Sequence, residues 1–309
     1  MNAQRLLIAV LAVLALAAPW FAYPVFLMTA LCFALFACAF NLLLGYVGLM
    51  SFGHAMFFGT AGYFFGHVVK AWDMPPELGL LAGVGGAALV GLVTGALAIR
   101  RQGIYFAMIT LAFAQMIYFF CVQAPFTHGE DGLQGIPRKA LLGGLIPTKD
   151  DRVLYYVVLA IFVFGYCAIY RIIHSPFGQV LKAIRDNEQR AQSLGYEADR
   201  YKLLAFVLSA ALAGLAGSTK AMVLQFATLT DVSAAMSGEV VLMALVGGLG
   251  TIVGPVVGAF IIITMQNYLA ATGEFVLVIQ GAIFVVIVLA FRKGVVGELA
   301  EWWKRRQAR

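Results

Sequence analysis

The sequence predicts an all-α polytopic integral membrane protein with about ten transmembrane helices, some of them short or broken. Two observations support this prediction. Of the 309 residues, 62% are hydrophobic and only 12% are charged, a composition that ordinary soluble domains do not have. Apolar runs close to the ~20 residues that a helix needs to cross the bilayer also follow one another with no soluble domain between them. Residues 1–309 are therefore predicted to form a single transmembrane domain.

Two apolar runs open the chain. Residues 6–22 follow a positive charge at Arg5 and end in small residues, so they are either a first spanning helix or a cleaved signal peptide. We favour the spanning helix. Residues 25–44 make the second crossing, and Asn41 near its end is a polar group that needs a partner inside the protein.

The next segment, Gly45 to Gly66, contains six glycines. Glycines at this density either let helices pack closely or let the backbone break within the membrane. Ser51, Gly53 and His54 lie where such a break would fall. Two interpretations stay open: these residues contact a transported solute or its gate, or they belong to tight packing around a hydrogen-bonded histidine.

Two further crossings, residues 78–99 and 104–124, are separated by Arg100 and Arg101, a pair typical of a cytosolic helix end. They lead to residues 125–152, the longest predicted external loop. A Gly-Glu-Asp-Gly stretch in this loop resembles a loose calcium loop. Because the ligand spacing of an EF-hand is missing, we expect no metal site there.

Residues 153–173 cross back to residues 174–202, the longest predicted cytosolic loop. Ser175 followed by Pro176 is typical of a helix start, and apolar residues at helical spacing then predict a short amphipathic helix. Two short helices at a membrane surface need a partner. The alternative is a basic connector that its positive charges hold at the inner leaflet.

A second short helix is predicted from Glu188 to Leu194. Gly195 is suited to the left-handed conformation that ends such a helix. Ala191 is expected to face the same side as Leu194 and Gly195, because it lies three and four residues before them.

Residues 203–223 form an outward helix rich in small residues, which predicts close packing against another helix. Lys220, near its end, is expected to extend to the outer interface. Ser237 is predicted to cap a helix that carries Glu239 in its first turn and runs to Val246.

Glycines then interrupt the apolar pattern between Gly247 and Pro255, before residues 256–270. This region is either two short crossings or one broken re-entrant unit. Residues 275–291 form the last predicted crossing. The basic tail, residues 292–309, is expected to stay in the cytosol.

Charge supports this topology. Fifteen of the 21 lysines and arginines fall on the predicted cytosolic side, which is the bias that orients membrane proteins. Both termini are then cytosolic. The same bases explain the net charge of +6, so we expect no nucleic-acid partner. The four cysteines lie in apolar runs without the spacing of a disulfide framework or a metal site.

Five stretches in order resemble the permease subunit of bacterial branched-chain amino acid ABC importers, and specifically the M-type partner of the two-permease pair. They are GYVGLMSFGHAMFFG (45–59), GIYFAMITLAFAQ (103–115), GEDGLQGIP (129–137), RYKLLAFVLSAALAGLAG (200–217) and SGEVVLMALVGGLGTIVGPVVGA (237–259). The resemblance covers nearly the whole chain.

This resemblance implies a path that the chain forms together with a homologous permease. It also implies two ATP-binding subunits, which hold ATP and Mg²⁺, and a periplasmic protein that delivers leucine, isoleucine or valine. The expected location is the bacterial inner membrane. The chain has no GxxxxGK[ST] motif, so we expect no cofactor in this chain and no ATPase activity of its own.

In such importers a cytosolic loop with an EAA-type motif docks on the ATPase. Here Ala191 and Gly195 fit the spacing of that motif, while Gln189 and Arg190 depart from its usual Glu and Ala. The resemblance therefore implies that the loop couples transport to ATP hydrolysis. The expected coupling residues are Arg185, Glu188, Ala191, Leu194 and Gly195.

A path for a zwitterion needs hydroxyl or backbone groups more than fixed charge. The candidates for the path or its gate are Ser51, Gly53, His54, Thr110, Ser209, Glu239, Gly247 and Gly248. The alternatives are an ABC permease for another small polar solute such as urea or an amide, a secondary transporter that uses Glu239 as its intramembrane acid, and a channel.

Overall fold

The computed structural model describes residues 15–144, 146–269, 276–290 and 294–298. These residues are mostly helical, and the prediction of an all-α membrane protein is confirmed. The beginning of the first predicted crossing and most of the predicted tail, residues 292–309, lie outside the described residues.

The helices follow one another as α1 (Pro24–Val47), α2 (His54–Lys70), α3 (Pro76–Ala98), α4 (Ile104–Gln123), α5 (Asp151–His174), α6 (Pro176–Asp186), α7 (Glu188–Ser193), α8 (Ala198–Leu224), α9 (Ala234–Gly247), α10 (Gly254–Leu269) and α11 (Val276–Ala290). Residues 15–21 and 294–298 are also helical. Two short strands, β1 (Leu133–Gln134) and β2 (Phe226–Ala227), pair antiparallel.

Five of the described helices are long and apolar enough to cross a membrane: α1, α3, α4, α5 and α8. Helices α9 and α10 are apolar but have only 14 and 16 residues. The total of ten crossings stays a prediction. Helices α1 and α8 are mostly buried by the rest of the chain, whereas in each of α3, α4 and α5 only 28% of the spanning residues are buried.

Small residues bring α2, α3 and α8 into direct backbone contact. A β-carbon at Gly217 of α8 would collide with the Phe58 carbonyl of α2, and one at Gly83 of α3 would collide with the Ser218 hydroxyl and approach the Ala61 carbonyl. The close packing predicted for the outward helix is confirmed. Dispersion contacts and small side chains, rather than hydrophobic burial, hold such helices together in a bilayer.

The 24 residues of α5 separate two ends of the bundle by about 36 Å. At one end, which we call the loop end, Lys70 Nζ donates to the Gln134 carbonyl at 2.6 Å and Lys139 pairs with Asp73 at 2.7 Å. At the other end, the α6–α7 end, the two short helices lie against the bundle. The segments predicted to be external and cytosolic therefore lie at opposite ends.

Two helices begin inside the bundle rather than at an end. The first residue of α2, His54, contacts Ser209, and Ser209 also contacts Ala39 of α1. Ala39 lies eight residues before the end of α1 at Val47, so α2 begins about 12 Å inside the bundle. Helix α9 starts beside α2 and runs from there to the α6–α7 end.

Candidate functional site

The break between α1 and α2 is held by hydroxyl groups. The Ser51 Oγ accepts a hydrogen bond from the Gly53 N–H at 3.3 Å, and the Thr110 Oγ1 accepts one from the Phe52 N–H at 3.2 Å. A β-carbon at Gly53 would collide with the Thr110 carbonyl oxygen. The structure thus brings together three of the predicted path residues, Ser51, Gly53 and Thr110.

His54 joins a fourth predicted path residue, Ser209. The Ser209 Oγ donates to the Ala39 carbonyl at 2.5 Å and lies 2.9 Å from His54 Nε2. A hydroxyl has one proton, so Ser209 accepts from His54, and the imidazole is the tautomer protonated at Nε2. Nδ1 has no hydrogen-bond partner among the described residues. The imidazole ring is packed against Phe36, Phe40 and Phe57.

Ser51, His54, Thr110 and Ser209 are each 0% exposed. They hold α1, α2, α4 and α8 together in this conformation, and none of them faces an open channel. The geometry agrees with the interpretation of tight packing around a hydrogen-bonded histidine. Contact of these four residues with a solute stays a prediction.

The predicted helix cap at Ser237 is wrong. Helix α9 begins three residues earlier, at Ala234, and the Ser233 Oγ caps it by accepting from the Met236 N–H at 3.3 Å. The Ser237 Oγ instead accepts from the Ala55 N–H at 3.0 Å. Ser237 therefore joins α9 to the first turn of α2, a long-range contact that local spacing does not reveal.

Glu239 lies in the second turn of α9, so its predicted place in the first turn is also wrong. Its carboxylate interacts with the Gln266 side chain of α10 and, electrostatically, with Lys220 and Asp231. The partner of this acid is therefore another helix rather than the start of its own.

Asn41 of α1 holds the turn that joins α9 to α10. Its Nδ2 donates to the Thr251 carbonyl at 2.9 Å, and its Oδ1 accepts from the Gly250 N–H at 3.1 Å. Gly248 and Gly250 have φ values of 119° and 72°, which favour glycine. These bonds supply the partner that the sequence predicts Asn41 to need.

Gly247 lies where the α9–α10 hairpin is tightest. A β-carbon there would collide with the Gly254 carbonyl, and a β-carbon at Gly258 would collide with the Met243 carbonyl. For this region the sequence left two alternatives, two short crossings or one broken re-entrant unit. The structure has two short helices, α9 and α10, in backbone contact. Their tight turn places the predicted gate residues Gly247 and Gly248 next to Asn41.

The local predictions for α6 and α7 are confirmed. The Ser175 Oγ caps α6 by accepting from the Gly178 N–H at 3.3 Å, and the Asn187 Oδ1 caps α7 by accepting from the Arg190 N–H at 3.0 Å. Gly195 has a φ of +89°, the left-handed conformation expected after the second helix.

Two of the predicted coupling residues attach α6 and α7 to the bundle. Arg185 Nη1 donates to the Gly45 carbonyl, at the end of α1, at 2.5 Å. Glu188 Oε1 lies 2.5 Å from Lys202 Nζ of α8, and the Lys202 side chain is only 3% exposed. Displacement of α6 and α7 would thus be transmitted directly to α1 and α8.

Ala191 and Leu194 do not share a face, so that expectation is wrong. Ala191 is buried in a small apolar cluster with Ile184 and Ala198, whereas Leu194 is 71% exposed. Gly195 is exposed beside Leu194. Of the five predicted coupling residues, Leu194 and Gly195 are therefore presented outward, while Ala191 packs α7 onto its own chain.

The expectation that Lys220 extends to the interface is also wrong. Its Nζ forms an ion pair with Asp231 Oδ1, and the two side chains are 8% and 7% exposed. The sequence reasoning missed Asp231. A usable signal was present: an acid lies 11 residues after this lysine, in the short connection between two apolar helices.

No metal site is evident in the described part of the chain. The acidic stretch of the loop, Gly129–Asp131, forms one short 3₁₀ turn. No group of three or more His, Cys, Asp or Glu side chains among the described residues is placed to hold a metal ion. Cys32, Cys38, Cys121 and Cys167 are free thiols.

Comparison with known proteins gives a consistent result. Residues 24–288 match the family model described as "Branched-chain amino acid transport system / permease component". Over 276 residues the chain is 27% identical to the high-affinity branched-chain amino acid transport system permease protein LivM of Escherichia coli K12. The aligned region covers 81% of this chain and 64% of that protein. The LivM protein of Salmonella typhimurium LT2 is 26% identical over the same shares.

The match to these two curated relatives spans 64% of their length. A sugar permease is also similar: the ribose import permease protein RbsC of Bacillus subtilis 168 is 30% identical over 174 residues, 52% of this chain and 50% of that protein. No solved structure matches the chain.

Proposed function

The chain belongs to the family of branched-chain amino acid transport system permease components, and from this premise we propose that it is the membrane-spanning subunit of an ATP-driven importer for leucine, isoleucine and valine. A homologous permease forms the other half of the path. Two separate subunits bind ATP with Mg²⁺ and hydrolyse it, and a periplasmic protein delivers the substrate. The complex lies in the bacterial inner membrane, with both termini of this chain in the cytosol.

The observation that carries the proposal is how α6 and α7 are held. Both helices are capped by side chains, both are bonded to the bundle through Arg185 and Glu188, and both lie outside it. A flexible connector needs none of these bonds. A lever that receives movement from a peripheral subunit needs all of them, since a loosely attached helix would absorb the movement instead of passing it on.

The outward side of α6 and α7 is apolar where α7 ends. Leu194 is 71% exposed and Tyr196 is 40% exposed. A nearby groove of ≈ 510 Å³ between α6 and the start of α8 is also lined mostly by apolar and aromatic side chains. Exposed large apolar side chains at a cytosolic surface mark a protein contact. We assign Leu194 and the adjacent Gly195 to the contact with the ATPase.

Co-purification tests this assignment. Leu194→Glu places a charge at the exposed tip without disturbing the buried contacts of α7, so we expect the ATP-binding subunits to be lost from the purified complex and L-leucine uptake to fall at least tenfold. Gln189→Glu is the matched control, because it adds the same charge at another exposed position of α7. Retention of the ATPase by the Leu194→Glu variant would contradict the assignment.

A neutral sugar is a second candidate for the substrate, because the ribose permease is 30% identical in sequence over 52% of this chain. The similarity to LivM extends over 81% and supports the amino acids. Competition distinguishes them: excess L-isoleucine, but not D-ribose, should block uptake of labelled L-leucine by the complete complex. The reverse result would favour a sugar importer.

The secondary-transporter and channel alternatives are separated by energy source. Uptake through the proposed importer stops when ATP is withheld and persists when ion gradients are dissipated. A secondary transporter with Glu239 as its coupling acid would show the opposite dependence, and a channel would need neither. Proteoliposomes loaded with or without ATP, in the presence and absence of ionophores, give this answer.

A further inference from the structure

Lys220 and Asp231 form their ion pair inside the membrane part of the bundle. Thr219, next to Lys220, lines a narrow gap together with Cys32 of α1. Cys32 is eight residues from the start of α1 at Pro24, so the pair lies about 12 Å below the loop end. The hydrocarbon core of a bilayer is ~30 Å thick, and the pair is therefore well within it.

An ion pair in this position is expensive for a purely structural bond. Removing two charges from water costs several kcal/mol for each ion, and the attraction between them offsets this cost only when their geometry and hydrogen bonding are good. Apolar side chains of similar size often hold a fold as well or better. Ionisable residues at membrane depth are typical of substrate and ion pathways.

The surroundings of the pair are apolar on one side and hydroxylic on the other, and the Glu239 carboxylate interacts electrostatically with both charges. Lys220 Nζ lies 5.8 Å from the centre of the Phe58 ring and 5.6 Å from that of Phe226, which is within the range of cation–π attraction. On the other side, the Thr228 Oγ1 donates to Asp231 Oδ2 at 3.3 Å.

The hydroxylic side reaches the surface of the chain at membrane depth. Thr230 is exposed, and its Oγ1 lies 2.7 Å from that of Thr228. Val232, two residues further on, packs on Gly59 of α2, which lies about 16 Å below the end of α2 at Lys70.

In the segment between α8 and α9, Phe226–Ala227 pairs with Leu133–Gln134 of the loop, and the 3₁₀ turn Leu229–Val232 continues from there to membrane depth, where Val232 meets Gly59. Such backbone is tolerated only where protein covers it or where it lines a water-filled cavity. Its threonine hydroxyls suit a surface that meets water or a polar solute rather than lipid.

We propose that Lys220 and Asp231 recognise the charged amino and carboxyl groups of a free amino acid as it passes through the membrane. This inference rests on the proposed function. Lys220 Nζ takes the carboxylate and Asp231 takes the ammonium group, so one ion pair is exchanged for two and no unpaired charge is left in the bilayer. Phe58 and Phe226 contact the aliphatic side chain. A sugar has no such charges and gains nothing from the exchange.

The test uses two double variants in the complete complex, reconstituted in proteoliposomes with its partner subunits and binding protein. Lys220→Met combined with Asp231→Leu replaces the pair by apolar side chains and leaves no unpaired buried charge. Lys220→Asp combined with Asp231→Lys keeps both charges but exchanges their positions. We expect both complexes to hydrolyse ATP in response to binding protein loaded with L-leucine, while L-leucine uptake falls at least tenfold.

Uptake within twofold of wild type in either double variant would overturn the site, because a structural clamp tolerates both replacements. A third variant decides the matter if neither double variant assembles. Thr230→Val changes one exposed hydroxyl and should raise the KM for L-leucine uptake at least threefold. Thr219→Val is its control, since the Thr219 hydroxyl donates only to its own helix, at 2.7 Å from the Leu215 carbonyl. An unchanged KM in Thr230→Val would then overturn the site.

The wild-type complex distinguishes failure of the site from failure of the proposed function. If the wild type takes up no L-leucine, the proposed function itself is wrong. If the wild type takes up L-leucine and the apolar double variant does so equally well, only the recognition site is wrong.

Discussion

At the α6–α7 end the helices are joined through side-chain bonds to backbone groups and through one ion pair that reaches water, whereas nearer the loop end Lys220 and Asp231 form an ion pair that is buried on both sides. Asn41 and Arg185 bond the turn of the α9–α10 hairpin and the end of α1, using main-chain partners in every case. Lys220 and Asp231 pair through their charged side chains, Asp231 also accepts from the Thr228 hydroxyl, and both side chains are almost fully buried.

This difference separates two kinds of dependence on sequence. Main-chain partners persist whatever residue occupies the position, so the bonds made by Asn41 and Arg185 are lost only when Asn41 or Arg185 itself changes. A buried ion pair depends on both residues at once, because the loss of one leaves the other charge unpaired in a medium that cannot solvate it.

The largest expected effect is all-or-none and concerns orientation. Lys149→Cys and Gln192→Cys, each made in a chain without its four native cysteines, place a thiol at the loop end and at the α6–α7 end. Both positions are exposed. A membrane-impermeant maleimide should label the first only from the periplasmic side and the second only from the cytosolic side. Labelling of both from one side would contradict the proposed topology.

The next largest effect is on stability at the ion pair. Lys220→Met leaves Asp231 buried without its partner, which should cost about 3–5 kcal/mol of unfolding free energy. Lys202→Met is the matched comparison: its partner Glu188 is 19% exposed and reaches water, so the loss should be smaller. Unfolding in detergent, followed by denaturant titration, would measure both. Equal losses would remove the contrast between the two ends.

A smaller effect is expected at the hairpin turn. Asn41→Leu removes both side-chain bonds and leaves the Gly250 N–H and the Thr251 carbonyl unpaired, which should cost about 1–3 kcal/mol. Asn41→Asp keeps the acceptor for Gly250 but loses the donor to Thr251. Proteolysis of the turn, monitored over time, should therefore be fastest for Asn41→Leu, and cleavage at the wild-type rate would show that the turn is held by other contacts.

The smallest expected effect is on the end of α7. Gly195 has a φ of +89°, so Gly195→Val should cost about 1 kcal/mol or more and fray the end of α7. Gly195→Asn is the control, since asparagine tolerates this conformation. We expect lower ATPase activity on stimulation and lower uptake in the valine variant, and nearly normal values in the asparagine variant. Equal activities would mean that the end of α7 does not transmit force.

What the sequence could predict was local. Ser175 starts α6 through a bond to a residue within a few positions and Gly195 follows the end of α7 in a left-handed conformation, and those predictions hold. The predictions for Ser237 and Lys220 were wrong for one reason: their partners, Ala55 and Asp231, lie in other elements of the chain.

Ala191 shows the same limit in a milder form. Helical spacing predicted that it shares a face with Leu194, but Leu194 lies beyond the last helical residue of α7, and spacing alone does not say which residues the bundle covers. Ile184 and Ala198 cover it from α6 and α8. The glycine-rich break near Ser51 was predictable as a break, while its partner Thr110, on α4, was predicted only as a polar residue and not as a neighbour.

The backbone contacts among α2, α3 and α8 have a mechanical consequence. Where Gly217 meets the Phe58 carbonyl and Gly83 meets the Ser218 hydroxyl, almost no side-chain atoms lie between the helices. Sliding one helix past another by a turn would drive larger residues into those contacts, so the three helices can only travel as one rigid block. The α9–α10 hairpin is a second block by the same reasoning. Ser237 links it directly to α2, and Asn41 links it to α1. Movement of one block against the other would therefore strain these hydrogen bonds.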